Sequence, residues 1–405
     1  MKIIFKMAWR NLWRNRRRAI ITMASVFFAA FFCILLMSFN LGTWETMIDN
    51  SLRTQTGHIQ IHGKGYWDDM VIDNFMFMDA VTLSQIEHIS GVENVSPRVE
   101  TFAMASNGTV NKGIAVIGVS PDKEVQKSNL SSRLVMGEYL LENDNGVLIG
   151  EGLSKYLGVS LGDTLALIGQ GYHGTSAAGL FPIRGILKLI TIEMDNGMIY
   201  MTLPTAQHFI DMPDGYSGIL ISIRDNKLLD ETIQNVEQIV DTQTLDVYSW
   251  HFTMERMLQT AESDKAFSFL LMYVLYIIVG FGILSTIIMM TNERRREFCM
   301  MISLGMPRLR LSTIICVELM VMSLIGLILS ITVTLPITHW FALHPIKISG
   351  ELANTFHQFG MQPFLPMSVE PHIYTDQIIT ILAISLLAVI YPVNKVLKLK
   401  LNKKN

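Results

Sequence analysis

One stretch of the chain has the spacing of a phosphate-binding turn. Gly169, Gly171 and Gly174 form a G-x-G-x-x-G pattern directly after a predicted strand. A dinucleotide site needs a helix to open immediately behind such a turn, because the helix N-terminus binds the pyrophosphate. Residues 175–182 are Thr-Ser-Ala-Ala-Gly-Leu-Phe-Pro, which is not an amphipathic helix. The sequence therefore predicts a flexible hairpin tip here. The chain contains no G-x-x-x-x-G-K-[ST] pattern, so the sequence offers no P-loop for a nucleoside triphosphate.

Metal-binding and catalytic chemistry have little support in the sequence. His58 and His62 share a strand face but lie about 13 Å apart at ~3.3 Å per residue, too far to chelate one metal ion together. No H-E-x-x-H, C-x-x-C or G-x-S-x-G pattern is present. Glu318 lies about two turns inside a long apolar segment, where an ionisable group is a functional candidate by default. The alternative is an interfacial carboxylate paired with an arginine near the same membrane face.

The elements that must position these residues are four long apolar segments. Half of the chain is hydrophobic and only 17% is charged, with a net charge of -3. Residues 19–41, 266–290, 311–338 and 376–396 are each about as long as the ~20 residues that cross a bilayer as a helix. Lysine and arginine cluster in residues 1–18, 291–310 and 397–405, which the positive-inside rule places in the cytoplasm. Residues 42–265 and 339–375 then lie on the opposite side of the membrane. No basic face or motif supports nucleic-acid binding.

The long segment between the first two spans has a mixed pattern, so the fold class is an α+β membrane protein. We expect strands at residues 57–62, 147–150 and 164–168, and helices at residues 204–210 and 228–240. Asn-Gly pairs predict hairpins around residues 104–109 and 190–201. More than 200 residues are enough for this domain to have a core of its own.

The loop between the second and third spans is amphipathic. Phe298, Met301, Ile302 and Gly305 fall on one helical face, and Gly305 and Pro307 end the helix. A short helix lying parallel to the membrane could be gripped by a soluble partner. It could equally be a basic anchor that happens to be helical.

The loop resembles the cytoplasmic loop of FtsX-like ABC transporter permeases, a family that includes LolC/LolE and the MacB-type exporters. The resemblance rests on Glu-Arg-Arg-Arg-Glu at residues 293–297 and Ile-Ser-Leu-Gly-Met-Pro-Arg at residues 302–308. It extends to residues 8–18, 57–61 and 148–163. Cys299 and Ser303 depart mildly from the family pattern, and the tail after Pro392 departs further. The resemblance implies a MacB-like α/β periplasmic domain between spans one and two. It also implies a coupling helix that docks on a separate ATPase through Glu293, Arg296, Glu297, Phe298, Met301, Ile302, Leu304 and Gly305.

The same resemblance implies a non-catalytic permease subunit, working in a dimer with a second copy or a paralogue. ABC ATPase subunits would bind ATP-Mg, and this chain would bind no cofactor. The expected activity is release of lipoproteins from the inner membrane, with a periplasmic lipoprotein carrier and membrane lipids as further partners. Export of a small molecule or peptide, and signalling to a cell-wall hydrolase, are the alternatives. The candidate carrier-contacting tip comprises Gln170, Tyr172, His173, Phe181 and Pro182. The candidate cargo cavity comprises Phe31, Phe32, Leu35, Met272 and Tyr276. A membrane enzyme with its site in the outer domain remains a rival from another class.

Overall fold

The computed structural model describes residues 2–14, 16–350 and 364–398, which form two compact units. The described residues of the first, here called the helical unit, are 2–14, 16–46, 260–347 and 364–398. Those of the second, here called the inserted domain, are 47–259 and 348–350. Parts of two predicted segments, residues 351–363 of the external loop and residues 399–405 of the tail, lie outside the described residues.

The helices and strands are numbered in chain order. The helices are α1 (Lys2–Arg14), α2 (Arg16–Ser51), α3 (Ala80–Glu87), α4 (Pro121–Ser128), α5 (Glu151–Leu157), α6 (Ile192–Gly197), α7 (Leu203–Phe209), α8 (Leu229–Ile239), α9 (Trp250–Thr253), α10 (Glu255–Glu293), α11 (Arg295–Ser303), α12 (Arg308–Leu343) and α13 (Pro371–Leu397). The strands are β1 (Ile59–Gly63), β2 (Met76–Phe77), β3 (Val92–Ser106), β4 (Asn111–Val119), β5 (Leu134–Gly137), β6 (Val147–Gly150), β7 (Thr164–Gln170), β8 (Ser176–Leu187), β9 (Met198–Thr202), β10 (Gly215–Tyr216), β11 (Gly218–Ile223), β12 (Leu245–Ser249), β13 (Ile346–Lys347) and β14 (Phe364–Leu365). A π-helical turn, Leu52–Thr56, follows α2, and short 3-10 turns occur at Ile72–Asn74, Leu130–Arg133, Tyr172–Gly174 and Asn226–Leu228.

Four of the described helices, α2, α10, α12 and α13, are long and apolar enough to cross a membrane. Each contains one of the predicted apolar segments and continues beyond it. Helix α2 runs on to Ser51 and α10 already begins at Glu255, so both include residues that the sequence assigned to the inserted domain. Hydropathy detects only the apolar part of a helix, whereas polar helix formers continue the backbone hydrogen bonding past it.

The helical unit is packed through close helix contacts and a few internal polar pairs. Val26 and Ile34 of α2, Ile283 of α10 and Met322 of α12 share one buried cluster. A β-carbon added at Gly326 of α12 would lie 2.6 Å from the carbonyl oxygen of Met23 in α2. Small residues allow such close backbone approach between membrane helices. Glycine at this position therefore sets the spacing of α2 and α12.

Ten of the described strands join in one sheet within the inserted domain. Six of them form a closed ring, in which β3, β4, β9, β6, β8 and β7 are hydrogen-bonded in turn and β7 returns to β3. Alternate side chains of these strands point inward, so Val116, Ile149, Leu167 and Ile199 are fully buried inside the ring. The closed ring leaves β3, β7 and β8 with one face inward and the other outward.

A second core lies beside this ring in the same domain. Strands β12, β1 and β11 extend the sheet from the first half of β3. Ile59 and Ile61 of β1 pack with Ile221 of β11 and Val236 of α8. Because β3 is long enough to take part in both cores, it joins the two halves of the inserted domain.

Most of the predicted elements of the inserted domain are confirmed, but the second hairpin is wrong. Strands β3 and β4 form the first hairpin, with Gly108 in the left-handed region at φ +97°. Residues 192–197 instead form α6, capped by the Thr191 side chain, which accepts a hydrogen bond from the Met194 amide. The Asp195 carboxylate accepts from the amides of Gly152 and Leu189, each at 2.9 Å. These local and long-range hydrogen bonds favour the helix over a turn.

We expect Gly326→Ala to destabilise the helical unit by about 1–3 kcal/mol, because the added methyl group meets the backbone of Met23 and α12 must shift. The thermal unfolding midpoint of the purified protein in mild detergent measures this loss. Gly282→Ala in α10 is the matched control, because a β-carbon there has no heavy atom within 4 Å. An equal midpoint for the two variants would contradict the packing role of Gly326.

Candidate functional site

Helix α11 is a short separate helix between two membrane helices. Helix α10 ends at Glu293, and α11 begins at Arg295 after the backbone leaves the helical conformation at Arg294. At its C-terminus the amide of Met306 donates to the carbonyl of Met301, and the amide of Gly305 donates to that of Ile302. With Gly305 at φ +95°, this is a Schellman termination, which favours glycine. The sequence-based prediction of the helix end is confirmed.

The face of α11 that carries Phe298, Met301 and Ile302 packs against the other helices of the helical unit. Phe298 is buried in the core of the helical unit, and Met301 and Ile302 pack partly against that core. The outward face carries Met300 and Leu304, of which Leu304 is 85% exposed. Arg296 and Gly305 are also exposed. The prediction that Phe298 contacts an ATPase is therefore corrected, because its ring holds α11 onto the bundle and is not available to a partner.

A buried ion pair lies at the junction of α10 and α11. Nη1 of Arg294 donates to both carboxylate oxygens of Glu318 in α12, at 2.8 and 3.1 Å. Arg294 is 5% exposed and Glu318 is 2% exposed. The guanidinium also lies over the ring of Phe298, 5.2 Å from its centroid, a cation–π arrangement. Of the two alternatives for Glu318, the structure shows pairing with an arginine, although the pair is buried and not interfacial.

Two further ion pairs join α11 and the end of α10 to the N-terminal helices. Arg14 of α1 pairs with Glu297, and Arg18 of α2 pairs with Glu293. Both glutamates were predicted to couple to an ATPase, and both already have partners in this chain. These side chains are partly exposed, so each pair contributes at most ~1 kcal/mol to stability. Removing one partner of a buried pair costs several kcal/mol.

The predicted cargo cavity is not formed by its five residues. Met272 and Tyr276 are buried in the bundle core, where the Tyr276 hydroxyl donates to Oε1 of Gln377 in α13 at 2.5 Å. Phe32 points outward and is exposed, and its ring stacks on Phe28. Phe31 and Leu35 are partly buried. Their positions along the helices place Phe32 on an exposed face and Met272 and Tyr276 on buried ones, which composition alone does not indicate.

The predicted hairpin tip is correct around His173, but Phe181 and Pro182 do not belong to it. His173 at the tip is exposed, and its amide donates to the Asp73 carboxylate at 3.0 Å, while the Tyr172 amide donates to the carbonyl of Ile210. Phe181 is buried against Phe209, and Pro182 lies at the base of the hairpin opposite Thr164. Phe181 and Pro182 are therefore removed from the candidate carrier surface.

Sequence reasoning missed Arg294 and an apolar surface on the inserted domain. Arg294 precedes Phe298 by four residues and Met301 by seven, so helical spacing could have placed it on the inward face. The surface consists of Phe102 and Met104 of β3, Ile168 of β7 and Leu180 of β8, which we call the exposed sheet face. Met104 is directly opposite Ile168, and Ala178, which pairs with Ile168, is two residues from Leu180 on the same side. The alternation of apolar residues in β3 could have indicated this surface from the sequence.

A four-helix membrane unit with a short connecting helix and an inserted α/β domain defines a transport permease subunit by its layout. Two family models match the chain. The model of the MacB-like periplasmic core domain matches residues 19–239, and the model of the FtsX-like permease C-terminal region matches residues 269–401. The chain belongs to the FtsX-like and MacB-type family of ABC transporter permeases, related to LolC and LolE.

Individual relatives are distant. The lipoprotein-releasing system transmembrane protein LolE of Haemophilus influenzae is 24% identical over 76% of each chain. The corresponding LolC of Xylella fastidiosa is 19% identical over 58% of each chain. Among solved structures, the periplasmic region of MacB from Actinobacillus actinomycetemcomitans is 13% identical, with a TM-score of 0.37, and the match covers 53% of this chain and 98% of that one. Family membership makes this chain a multi-pass inner-membrane permease subunit, and an ABC permease works with an ATPase partner.

We expect Glu318→Gln to lower the free energy of unfolding by about 3–5 kcal/mol, because it removes the buried counter-charge of Arg294 and leaves only the partly exposed Glu297, 3.3 Å from Nε. Arg14→Gln breaks an exposed pair and should cost less than ~1 kcal/mol. Thermal unfolding in detergent compares the two variants. The double variant Arg294→Met with Glu318→Leu should recover much of the loss, since apolar replacement of a buried pair is often neutral. A single Glu318→Gln variant as stable as the unmodified protein would contradict the analysis of this pair.

Proposed function

We propose that this permease subunit releases lipoproteins from the inner membrane and passes them to a soluble periplasmic carrier. The observation that carries the proposal is the similarity to LolE along 76% of both chains, which spans parts of the helical unit and of the inserted domain. The subunit would work as a dimer with a second copy or a paralogue, and two ATPase subunits would bind the ATP-Mg. The termini and α11 would face the cytoplasm, with the inserted domain in the periplasm, as the distribution of basic residues favours.

The ATPase would grip the outward face of α11. Leu304 and Met300 offer apolar side chains there, and Arg296 adds a positive charge. A partner that moves this face also moves Phe298 and Arg294 on the opposite side of the connection. Since Arg294 is bonded to Glu318, the motion reaches α12, and through the Arg14–Glu297 pair it reaches the N-terminal helices. Mechanical transmission of this kind requires no catalytic residue in the permease.

The carrier would dock on the exposed sheet face. Phe102 is 74% exposed and Leu180 is 73% exposed, and Ile168 lies between them. Contiguous exposed apolar side chains mark interaction surfaces in soluble domains. Gln170 continues the same face of β7, and His173 lies just beyond it at the hairpin tip. These two residues remain candidates from the predicted tip, as polar groups at the edge of the surface.

The match to the MacB-like domain model supports a second candidate function, export of a small molecule or peptide. In that case the inserted domain would engage an adaptor protein in place of a lipoprotein carrier. Lipoprotein release would depend on a soluble lipoprotein carrier, whereas export would depend on an adaptor protein. A reconstituted system with a defined carrier therefore distinguishes the two candidates.

We expect Leu304→Arg to abolish co-purification of the ATPase, because a large charged side chain replaces the most exposed apolar group of α11. Affinity purification in mild detergent followed by mass spectrometry measures the ratio of ATPase to permease. Leu141→Arg is the control, since Leu141 is 75% exposed but lies in the inserted domain. Retention of the ATPase by the Leu304→Arg protein would show that the partner docks elsewhere.

We expect the pair Phe102→Asp and Leu180→Asp to reduce ATP-dependent transfer of a lipoprotein to its soluble carrier by at least tenfold, with ATPase assembly unchanged. Charges on this face would remain buried and unpaired in the docked complex. Proteoliposomes holding the permease, its ATPase and a labelled lipoprotein measure the transfer, and Leu141→Asp serves as control. Unchanged transfer would exclude the exposed sheet face. Absence of any transfer by the unmodified complex, with its ATPase active, would refute lipoprotein release.

A further inference from the structure

The inserted domain contains an open cavity that the transport mechanism above does not use. Its volume is about 250 Å³, and it is bounded by β1, β3, β9, β11 and the loop that follows β1. This lies near the lower end of the ~300–1,000 Å³ that ligand-binding pockets typically occupy, so the cavity suits a short segment rather than a large ligand. All of the residues that line it belong to the inserted domain, so the cavity is a property of that domain alone.

One wall of the cavity is aromatic and rigid. The rings of His62 and Tyr66 are stacked in parallel with centroids 4.6 Å apart, and Trp67 meets His62 edge-on at 5.6 Å. Nδ1 of His62 lies 2.7 Å from the carbonyl oxygen of Ser217, which fixes the ring. Burial lowers the pKa of His62, so its ring is neutral at physiological pH. Nearby, Met194 and Met198 supply flexible apolar surface.

Two hydrogen-bond donors at this cavity lack partners among the described residues. The guanidinium of Arg98 uses Nη1 and Nη2 to bond the Glu124 carboxylate and the carbonyls of Thr54 and Gln55. Its Nε is buried with no acceptor in the described part of the chain, and the same holds for Nε1 of Trp67. A buried donor without an acceptor costs about 1–3 kcal/mol. Both side chains line the cavity, so a ligand that brings acceptor oxygens would satisfy donors that the described residues leave unpaired.

The charges around the cavity exclude an anionic ligand. The single arginine, Arg98, faces two carboxylates, Glu124 at 2.8 Å and Glu100 at 3.3 Å. Burial and the neighbouring Arg98 charge lower the pKa of Lys127 to about 7, so it adds only a partial positive charge. The Arg98 and Lys127 charges, in turn, outweigh burial and hold the pKa of Glu124 below its usual range. With these charges nearly balanced or negative, the complementary ligand has neutral acceptors and at least one donor for Glu100.

We propose that this cavity binds an uncharged peptide segment. Backbone carbonyls would accept from Nε of Arg98 and from Nε1 of Trp67, and a backbone amide would donate to Glu100. Apolar side chains of the peptide would lie on Tyr66 and Met194. A lipid ester also offers a carbonyl, but it has no donor for Glu100, so the peptide is the better complement. The inference is independent of lipoprotein release, because it uses only the inserted domain's own contacts.

The test uses the full permease with its ATPase in detergent, labelled with 5-fluorotryptophan. The chain has six tryptophans, and Trp67→Phe identifies the ¹⁹F NMR signal of Trp67. The probe is an N-acetylated, C-amidated tetrapeptide of alanine and leucine. We expect a saturable shift of the Trp67 signal alone, and weaker binding by the same peptide with a free carboxylate.

Glu100→Gln should weaken the binding of the capped peptide about tenfold, because it removes a charged acceptor. Glu142→Gln, at an exposed carboxylate elsewhere in the inserted domain, is the control and should leave binding unchanged. The five other tryptophan signals report whether each variant is folded. No shift with the capped peptide, or equal weakening by the two variants, would overturn the proposal. A shift caused only by methyl laurate would also overturn it and identify a lipid site.

Discussion

The buried pair between Arg294 and Glu318 is the constraint on which the arrangement of the helical unit depends. Two opposite charges in an apolar surrounding cannot separate without leaving each charge desolvated and unpaired, which costs several kcal/mol. The carboxylate is bonded at 2.8 and 3.1 Å, and Phe298 covers the guanidinium. The end of α10, the start of α11 and the third membrane helix are thus held in one geometry. The more exposed ion pairs of Arg14 and Arg18 each contribute at most ~1 kcal/mol to stability.

This constraint divides α11 into two faces with different roles. The inward face is occupied by Phe298 and by Arg294 just before the helix, and it cannot reach a partner. The outward face, with Leu304 at its end, is free of such internal bonds. Gly305 then ends the helix so that Leu304 stands in solvent. A helix of nine residues is too short to be stable by propensity alone, so its position depends on the contacts of its inward face.

The sequence predicted the parts of the fold that depend on local composition. Runs of ~20 apolar residues indicate membrane helices by length alone, and the strand at Val147–Gly150 was clear from its pattern. Periodicity showed that Phe298, Met301 and Ile302 share a face of α11, but it does not tell which neighbour covers that face. Residues 192–197 were misassigned because Asp195 is held by amides of Leu189 and the distant Gly152. Phe181 was placed at a tip because strand register is set by partners far along the chain.

The inserted domain also contains a buried arginine–glutamate pair, but one donor of that arginine has no acceptor in the described residues. Arg98, like Arg294, is buried and bonded to a glutamate from another element. Nε of Arg294 bonds Glu297, whereas Nε of Arg98 has no acceptor in the described residues. A purely structural ion pair gains from saturating every donor, since each unpaired one costs stability. The unpaired donor of Arg98, on a side chain that lines the cavity beside an aromatic wall and an accessible carboxylate, fits the peptide site that we propose. The exposed sheet face lacks these polar groups, so the two surfaces would select ligands of different chemistry.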